Sequence, residues 1–434
     1  MLPGGVARCR AAAPPDPTAS PGAVVPDQPN QQNRHCRPGS LEPDLTLDAD
    51  FIADPHAALA RLRESEPVCR VRLPDGSQAW LATCDADVRA ALTDARLALN
   101  KAHSAGDYAG FALPPALDAN LLNRDGTEHA RLRRLAAGAF APHRIGTLGE
   151  HVRSVADSLA RDLATRVGGD LIADFAAPLP LTVIGELLGV PQSQRAHFAA
   201  QTRRMLAPER REDLSLAVKE IHALLLEVIA LRRDAPGEDL LSAWIGARDR
   251  DDRLDENELV SLAFLVLWAG IENVTHLIGN GTVLLLRDPE LREALRADPA
   301  RLPGVVEELL RLVHPNTLAI RRFATTDLDL GGARIHAGDT VLLALAAANR
   351  DPSSHPHPDR IDPHRPLPAR PAHLAFGHGP HYCLGAALAR LELEIAFDML
   401  LRRLPGLRLA VPETELRRRA SFRSFDLESL PVAT

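Results

Sequence analysis

The chain has 434 residues, 45% of them hydrophobic, enough to bury a large core. Its formal net charge of −7 and pI of about 6.2 give no hint of nucleic acid as a partner. The cysteines (Cys9, Cys36, Cys69, Cys84 and Cys383) form no CxxC pair, which argues against a disulfide scaffold and for a reducing compartment. Residues 1–40 are rich in Pro, Ala, Gly, Asn and Gln, and read as a disordered tail ahead of one domain over 41–434. A short helix should open at Asp54-Pro55 and run to Arg63. Val68–Arg72 and Gln78–Thr83 read as a hairpin around Leu73-Pro74-Asp75-Gly76. Helical patterns follow at Asp85–Leu92, Glu128–Phe140, Gly146–Val167, Pro180–Leu188, Ser193–Leu206, Leu214–Asp234, Glu256–Leu286 and Pro303–Val313. A strand region at Leu328–Leu345, with turns at Gly331-Gly332 and Gly338-Asp339, precedes an irregular stretch over Asn349–Gly379. Leu384–Leu401 is the last long helix. The expected fold is mainly α, one large helical domain with a small β-sheet region.

The first residues lack the apolar segment of a signal peptide. The longest apolar stretch, Leu259–Gly270, falls short of the ~18–20 residues of a membrane span. The expectation is therefore a cytoplasmic monomer with no membrane partner.

The run Phe376-Gly377-His378-Gly379-Pro380-His381-Tyr382-Cys383-Leu384-Gly385 carries the most chemistry. Its glycines permit a tight turn before the cysteine. A helix starting at Leu384 would set Cys383 at the positive end of a helix dipole, favouring thiolate. Gly385 would let a flat macrocycle approach the backbone. A zinc site built from His373, His378, His381 and Cys383 is the alternative, although zinc sites usually take ligands from two separate clusters.

Phe376 to Arg390 resembles the haem-binding signature of the cytochrome P450 family, whose axial ligand is a cysteine thiolate. Further segments agree in order. His129-Ala130-Arg131-Leu132-Arg133 resembles the family's C helix, Ala269-Gly270-Ile271-Glu272 the oxygen-activating turn of its I helix, and Glu308-Leu309-Leu310-Arg311 its E-x-x-R pair. The resemblance implies the P450 fold, haem b as cofactor and O2 as co-substrate, with Cys383 on the iron. It implies His129, Arg133, Arg322 and His381 at the haem propionates, with Phe376, Gly377 and Gly385 around the ligand loop. It implies Glu308, Arg311 and Arg360 as a buried structural triad. Ala269 and Gly270 would leave room for dioxygen. Glu272 and Asn273 stand where the family carries an acid and a threonine, so the usual hydroxyl is replaced by an amide.

Leu265, Trp268 and Ala269 on the I-helix segment, Thr317 and Leu318 after the E-x-x-R segment, the segment around Tyr108 and the loop near Phe425 are the expected pocket walls. Mostly apolar, they suit an apolar mid-sized substrate. The implied reaction is C–H hydroxylation or epoxidation, in natural-product metabolism. Oxidative coupling or desaturation by the same haem, or a silent haem-thiolate binding protein, are alternatives. Electrons would come from a separate ferredoxin or flavodoxin and its NAD(P)H reductase, docking against Arg131, Arg134 and Arg390.

Overall fold

A computed structural model describes residues 45–106, 114–140, 142–206, 210–248, 254–365 and 373–434. The tail expected over 1–40, its boundary with the domain, and Tyr108 lie outside the described residues. The helices that position the site are, in chain order, α1 (Asp85–Thr93), α2 (Gly126–Ala137), α3 (Gly149–Ala164), α4 (Pro178–Leu187), α5 (Glu256–Arg287), α6 (Leu302–Val313) and α7 (Ala386–Arg403). The strands β1 (Leu45–Thr46), β2 (Val68–Arg72), β3 (Gln78–Ala82), β4 (Leu97–Ala98), β5 (Arg322–Ala324) and β6 (Thr340–Leu343) form one sheet in the order β1-β2-β3-β6-β5-β4. The expected hairpin is β2–β3, with Val68 opposite Ala82 and Gly76 at positive φ in its turn. The architecture is mainly α with a small sheet.

Apolar residues run almost all the way round α5, and such a helix belongs inside a core. Asp255 caps its start, exchanging bonds with Glu258 in a reciprocal box. α5 packs against α4 and α7, in a core that also holds Phe175, Phe264 and Phe397. By length and composition α5 could cross a membrane, but 67% of its most apolar window is buried inside the protein. A second core lies under the sheet, around Leu81, Val71 and Leu342.

The pair Glu308 and Arg311 is buried on α6, with 4% and 1% of each residue exposed. Arg311 places all its N–H groups. Two reach Glu308, at 2.8 and 2.9 Å; the others reach the carbonyls of Asn349, Pro358 and Arg360. Glu308 also accepts from the Asp362 N–H and from Arg365 Nε, each at 2.9 Å. The expected triad therefore needs a correction. The third side chain is Arg365, and Arg360 contributes only its backbone carbonyl. The irregular segment turns between these two arginines, so Arg365 faces α6.

Removing one partner of a buried, fully bonded ion pair strands the other. Arg311→Ala is expected to cost about 3–5 kcal/mol in denaturant unfolding. Arg360→Ala should leave stability nearly unchanged because its carbonyl remains, whereas Arg365→Ala should fall between the two. Equal losses at 360 and 365 would show that Arg365 is not the third member.

Candidate active site

The cysteine loop is held by its own backbone. Gly377 N–H donates to Leu374 O at 2.8 Å, and Cys383 N–H to Phe376 O at 2.9 Å. Gly377 and Gly379 both adopt positive φ, at 71° and 75°. At Gly379 a side chain would also collide with α1, where Thr93 Cγ2 would lie 2.8 Å from its Cβ. The helix that follows starts at Ala386, two residues later than the periodicity suggests. Cys383 presents an accessible face while protein crowds its other sides. That crowding pushes the thiol pKa up, against the opposing pull of the Gly385 N–H, Arg133 and Arg390. The protein alone thus favours thiol, contrary to the helix-dipole expectation; a bound metal cation is what deprotonates such a group. A Cβ at Gly385 would meet nothing within 4 Å, so the backbone beside the thiol is open to a flat ligand.

A glutamate that sequence reasoning passed over braces this loop from α6. Glu307 accepts from Arg390 Nε and Nη2 at 2.6 and 3.0 Å, and pairs with His373 Nε2 at 3.1 Å. Arg390 also lies 4.6 Å over the Phe376 ring. Burial alone would raise the Glu307 carboxyl, but His373 and Arg390 pull it down to about 2. His373 is committed at both ring nitrogens, since Nδ1 accepts from the Ala375 N–H. Among the described residues, the Cys383 loop and its histidines form no metal-binding cluster. The zinc alternative therefore has no support here. Arg390 and Arg131, expected to border the face that a redox partner meets, are each paired with a glutamate. Arg131 pairs with Glu258 at the start of α5.

Two imidazoles and two guanidinium groups gather on the same side. His129 of α2 and His381 of the loop stack with ring centroids 3.9 Å apart. His381 Nε2 lies 3.6 Å from Asp125, which also accepts from the Leu99 and Asn100 N–H groups. Burial opposes ionisation of Asp125, yet His381 and these N–H groups bring it down to about 2. Burial, then His381 and Arg133, lower His129 to about 4. Arg133 donates to the Tyr382 carbonyl at 2.6 Å. Arg322 donates to Leu97 O across the β4–β5 ladder, and its buried Nε has no partner. His381 Nδ1 is likewise buried without one. A buried guanidinium N–H and a buried imidazole nitrogen left without partners suit an anionic group. An accessible thiol, an open glycine and these groups together fit haem b with its two propionates. Asp125, which orders this cluster, had no motif to mark it.

The middle of α5 is the exception in a buried helix. Leu265, Trp268, Ala269, Glu272 and Asn273 stay partly accessible while the residues before and after them are buried. They form one stripe, at helical spacing. Gly270 is turned away from it. A Cβ there would lie 2.5 Å from Ile184 Cδ1, so its small size lets α4 approach and does not make room for dioxygen. Trp268 packs edge-on against Phe264 and donates to Glu272 Oε2 at 3.1 Å. Arg419 reaches Glu272 Oε1 at 3.4 Å. Burial raises the Glu272 pKa; Trp268, Arg419 and Arg423 oppose it. Asn273 Nδ2 donates to Ala269 O at 3.3 Å, and its Oδ1 accepts from Asn316 Nδ2 at 2.8 Å.

Two expected pocket residues are placed otherwise. Leu318 is buried in the core under the sheet, with Leu81 and Leu342. The Phe425 ring is taken up by His56 at 5.1 Å and by the Arg418 guanidinium at 3.5 Å. Thr317 is buried, its N–H bonded to Arg423 O.

A family model for cytochrome P450 matches residues 181–415. Cytochrome P450 107B1 of Saccharopolyspora erythraea is 42% identical over 407 residues, 91% of this chain and 98% of that protein. The chain belongs to the cytochrome P450 family. The mycinamicin IV hydroxylase/epoxidase of Micromonospora griseorubida is 43% identical over 82% of this P450 and 89% of its own length. The ligand-free P450 monooxygenase TamI superposes with a TM-score of 0.83 at 40% identity, covering 91% of this chain and 94% of that one. This P450 is a haem b monooxygenase that uses O2.

Cys383→Ser should abolish the thiolate-type absorption of the reduced carbon monoxide complex; retention of that absorption would exclude Cys383 as ligand. Glu307 supports a second prediction. Its folded pKa lies below the ordinary 4.5, so its stabilising contribution is present above pH 4.5 and is lost as pH falls towards about 2. Stability curves between pH 6 and pH 3 should therefore fall less steeply in Glu307→Gln than in the parent. Parallel curves would show that the Arg390 pairing contributes nothing.

Proposed function

We propose that this P450 inserts one oxygen atom of O2 into a C–H or C=C bond of an apolar, mid-sized natural product. The observation that carries this is the accessible stripe Leu265–Trp268–Ala269–Glu272–Asn273, apolar over its first three positions and set in an otherwise buried helix. Such a surface suits a ligand bound by area, with few polar contacts. The named activities of relatives support the class: hydroxylation or epoxidation of mycinamicin IV, and 25-hydroxylation of vitamin D(3).

Haem b, held by Cys383, by the Arg133 and Arg322 guanidinium groups and by the imidazoles of His129 and His381, would supply the reductive activation of O2. The chain's own residues have narrower tasks. Arg322 Nε and His381 Nδ1, both buried and without a partner, are placed to meet anionic oxygens. Arg390 and Glu307 hold the loop against α6. Glu272 is the ionisable group beside Asn273, and Trp268 and Arg419 fix its carboxylate. Asn273 has its carbonyl filled by Asn316 and one amide N–H on Ala269 O, leaving one N–H to orient a water or the substrate. A separate ferredoxin and its NAD(P)H reductase would deliver electrons in the cytoplasm. Among the expected docking arginines Arg134 is exposed, so the basic face is smaller than the sequence suggests.

Asn273→Ala should yield more peroxide and less product per reduced nicotinamide, with the substrate-induced haem spectral shift retained. Asn316→Ala, which frees the Asn273 carbonyl, should produce a smaller loss of the same kind. Unchanged coupling in both variants would mean that the amide pair only packs.

A further inference from the structure

His276 follows Glu272 by one helical turn and shares its face of α5. Asp426 arrives from the C-terminal segment, where Arg419 N–H bonds to Asp426 O. One donor atom each from Glu272, His276 and Asp426 lies within 4.8 Å of the others. His276 Nε2 stands 3.9 Å from Asp426 Oδ2. His276 and Asp426 are 2% and 3% exposed. His276 Nδ1 and Asp426 Oδ1 have no hydrogen-bond partner in the protein. Buried polar atoms are rarely left so, and this spacing suits exchange through a bridging water or a small rotation.

A cation could also be imagined among these donors, but the surroundings are already positive. Arg419 and Arg423 face Glu272, Arg419 faces His276, and Arg418 and Arg419 face Asp426. Mobile protons suit this setting better than a divalent ion. We propose that Glu272, His276 and Asp426 form one proton-holding unit, in which His276 passes a proton from the Asp426 carboxyl to the Glu272 carboxylate. The inference rests on the role given to Glu272 above.

The charge states agree with the geometry over the pH range, up to about 6, in which Asp426 still carries its proton. Burial, with Glu272 adding to it, raises Asp426 to about 6 against Ser424, Arg419 and Arg418. Burial and then Arg419 lower His276 to about 3, so its ring is neutral near pH 7. A neutral imidazole has one N–H and one lone pair. One ring nitrogen lies within 4.8 Å of both carboxylates, so its lone pair takes the Asp426 proton and hands that proton on to Glu272. Asp426 ends ionised, Glu272 ends protonated, and the ring is neutral again. Monooxygenation consumes two electrons and two protons for each O2, giving one oxygenated product and one water. A proton held behind Glu272 is therefore used in every turnover.

The test uses haem-loaded enzyme. Infrared difference spectra should contain a carboxylic-acid C=O band, shifted in D2O. It should fade as pH rises through about 6 and be absent in Asp426→Asn. In His276→Asn and Asp426→Asn, product per electron pair should fall about ten-fold, less than the ~100-fold of losing a full general acid. The solvent isotope effect should rise, and the substrate-induced spectral shift should persist. Asp426→Glu should restore part of the coupling. Absence of the titrating band overturns the proposal. So does normal coupling and isotope effect in either folded variant, or a divalent metal retained stoichiometrically after chelation. Normal coupling in Glu272→Gln would bring down the role of Glu272 itself. Uncoupling there, with normal His276→Asn and Asp426→Asn, would bring down the relay alone.

Discussion

The five N–H bonds of the Arg311 guanidinium hold the ligand-loop side of this molecule in place. Two bind Glu308, and three go to carbonyls at Asn349, Pro358 and Arg360, where the chain has no ladder of its own. Buried carbonyls need donors, and in an irregular segment only a side chain can supply them. An ammonium has three donors on one point; the planar guanidinium spreads five over separate directions. The order then passes along the backbone. Asn349 Oδ1 accepts from Leu374 N–H at 2.6 Å, Leu374 O from Gly377, and Phe376 O from Cys383. The position of the thiol is thus tied, bond by bond, to a guanidinium far from it in sequence.

Adjacent residues on α6 divide this work. Successive helical side chains point about 100° apart. Glu308 therefore faces the irregular segment while Glu307 faces the loop through Arg390 and His373. The arginine-rich composition of the chain fits this scheme. Arg390 and Arg365 could be mistaken for surface charge in the sequence, yet both serve as internal braces: Arg390 holds Glu307 with two N–H groups, and Arg365 spans Glu308 and the Pro356 carbonyl, contacts a lysine would not reproduce.

What could be read from the sequence followed periodicity. The apolar run of α5 and the alternating strands of the β2–β3 hairpin each declare one buried face. Strands β4 and β5 span only two and three residues, so their pairing depends on partners far away in the chain. The helix Pro289–Ala297 was passed over although its signal is present: Asp288 caps it and Pro289 opens it. The site divides in the same way. Glycine spacing marks the Cys383 loop, and the E-x-x-R spacing marks a shared face. Which of Arg360 and Arg365 turns inward depends on the path of a segment without period. The meeting of His276 with Asp426, like that of Asn273 with Asn316, is created only by the fold.

An amide in place of a hydroxyl changes where protons must be kept. A hydroxyl can take a proton from one neighbour and give its own to the next. The Asn273 amide N–H does not ionise, and its carbonyl already accepts from Asn316. It can orient a water but cannot relay through itself. The ionisable burden then falls on Glu272, a single carboxylate whose proton, once given, must be replaced. Glu272 is itself partly accessible, but its inner side faces buried groups and not solvent. A carboxyl whose pKa sits near neutrality, with an uncharged imidazole alongside, restores the proton from within the protein. The departure at Asn273 and the buried acid–base pair behind Glu272 are thus two sides of one arrangement: the residue above gives up proton transfer, and the residues behind take it on.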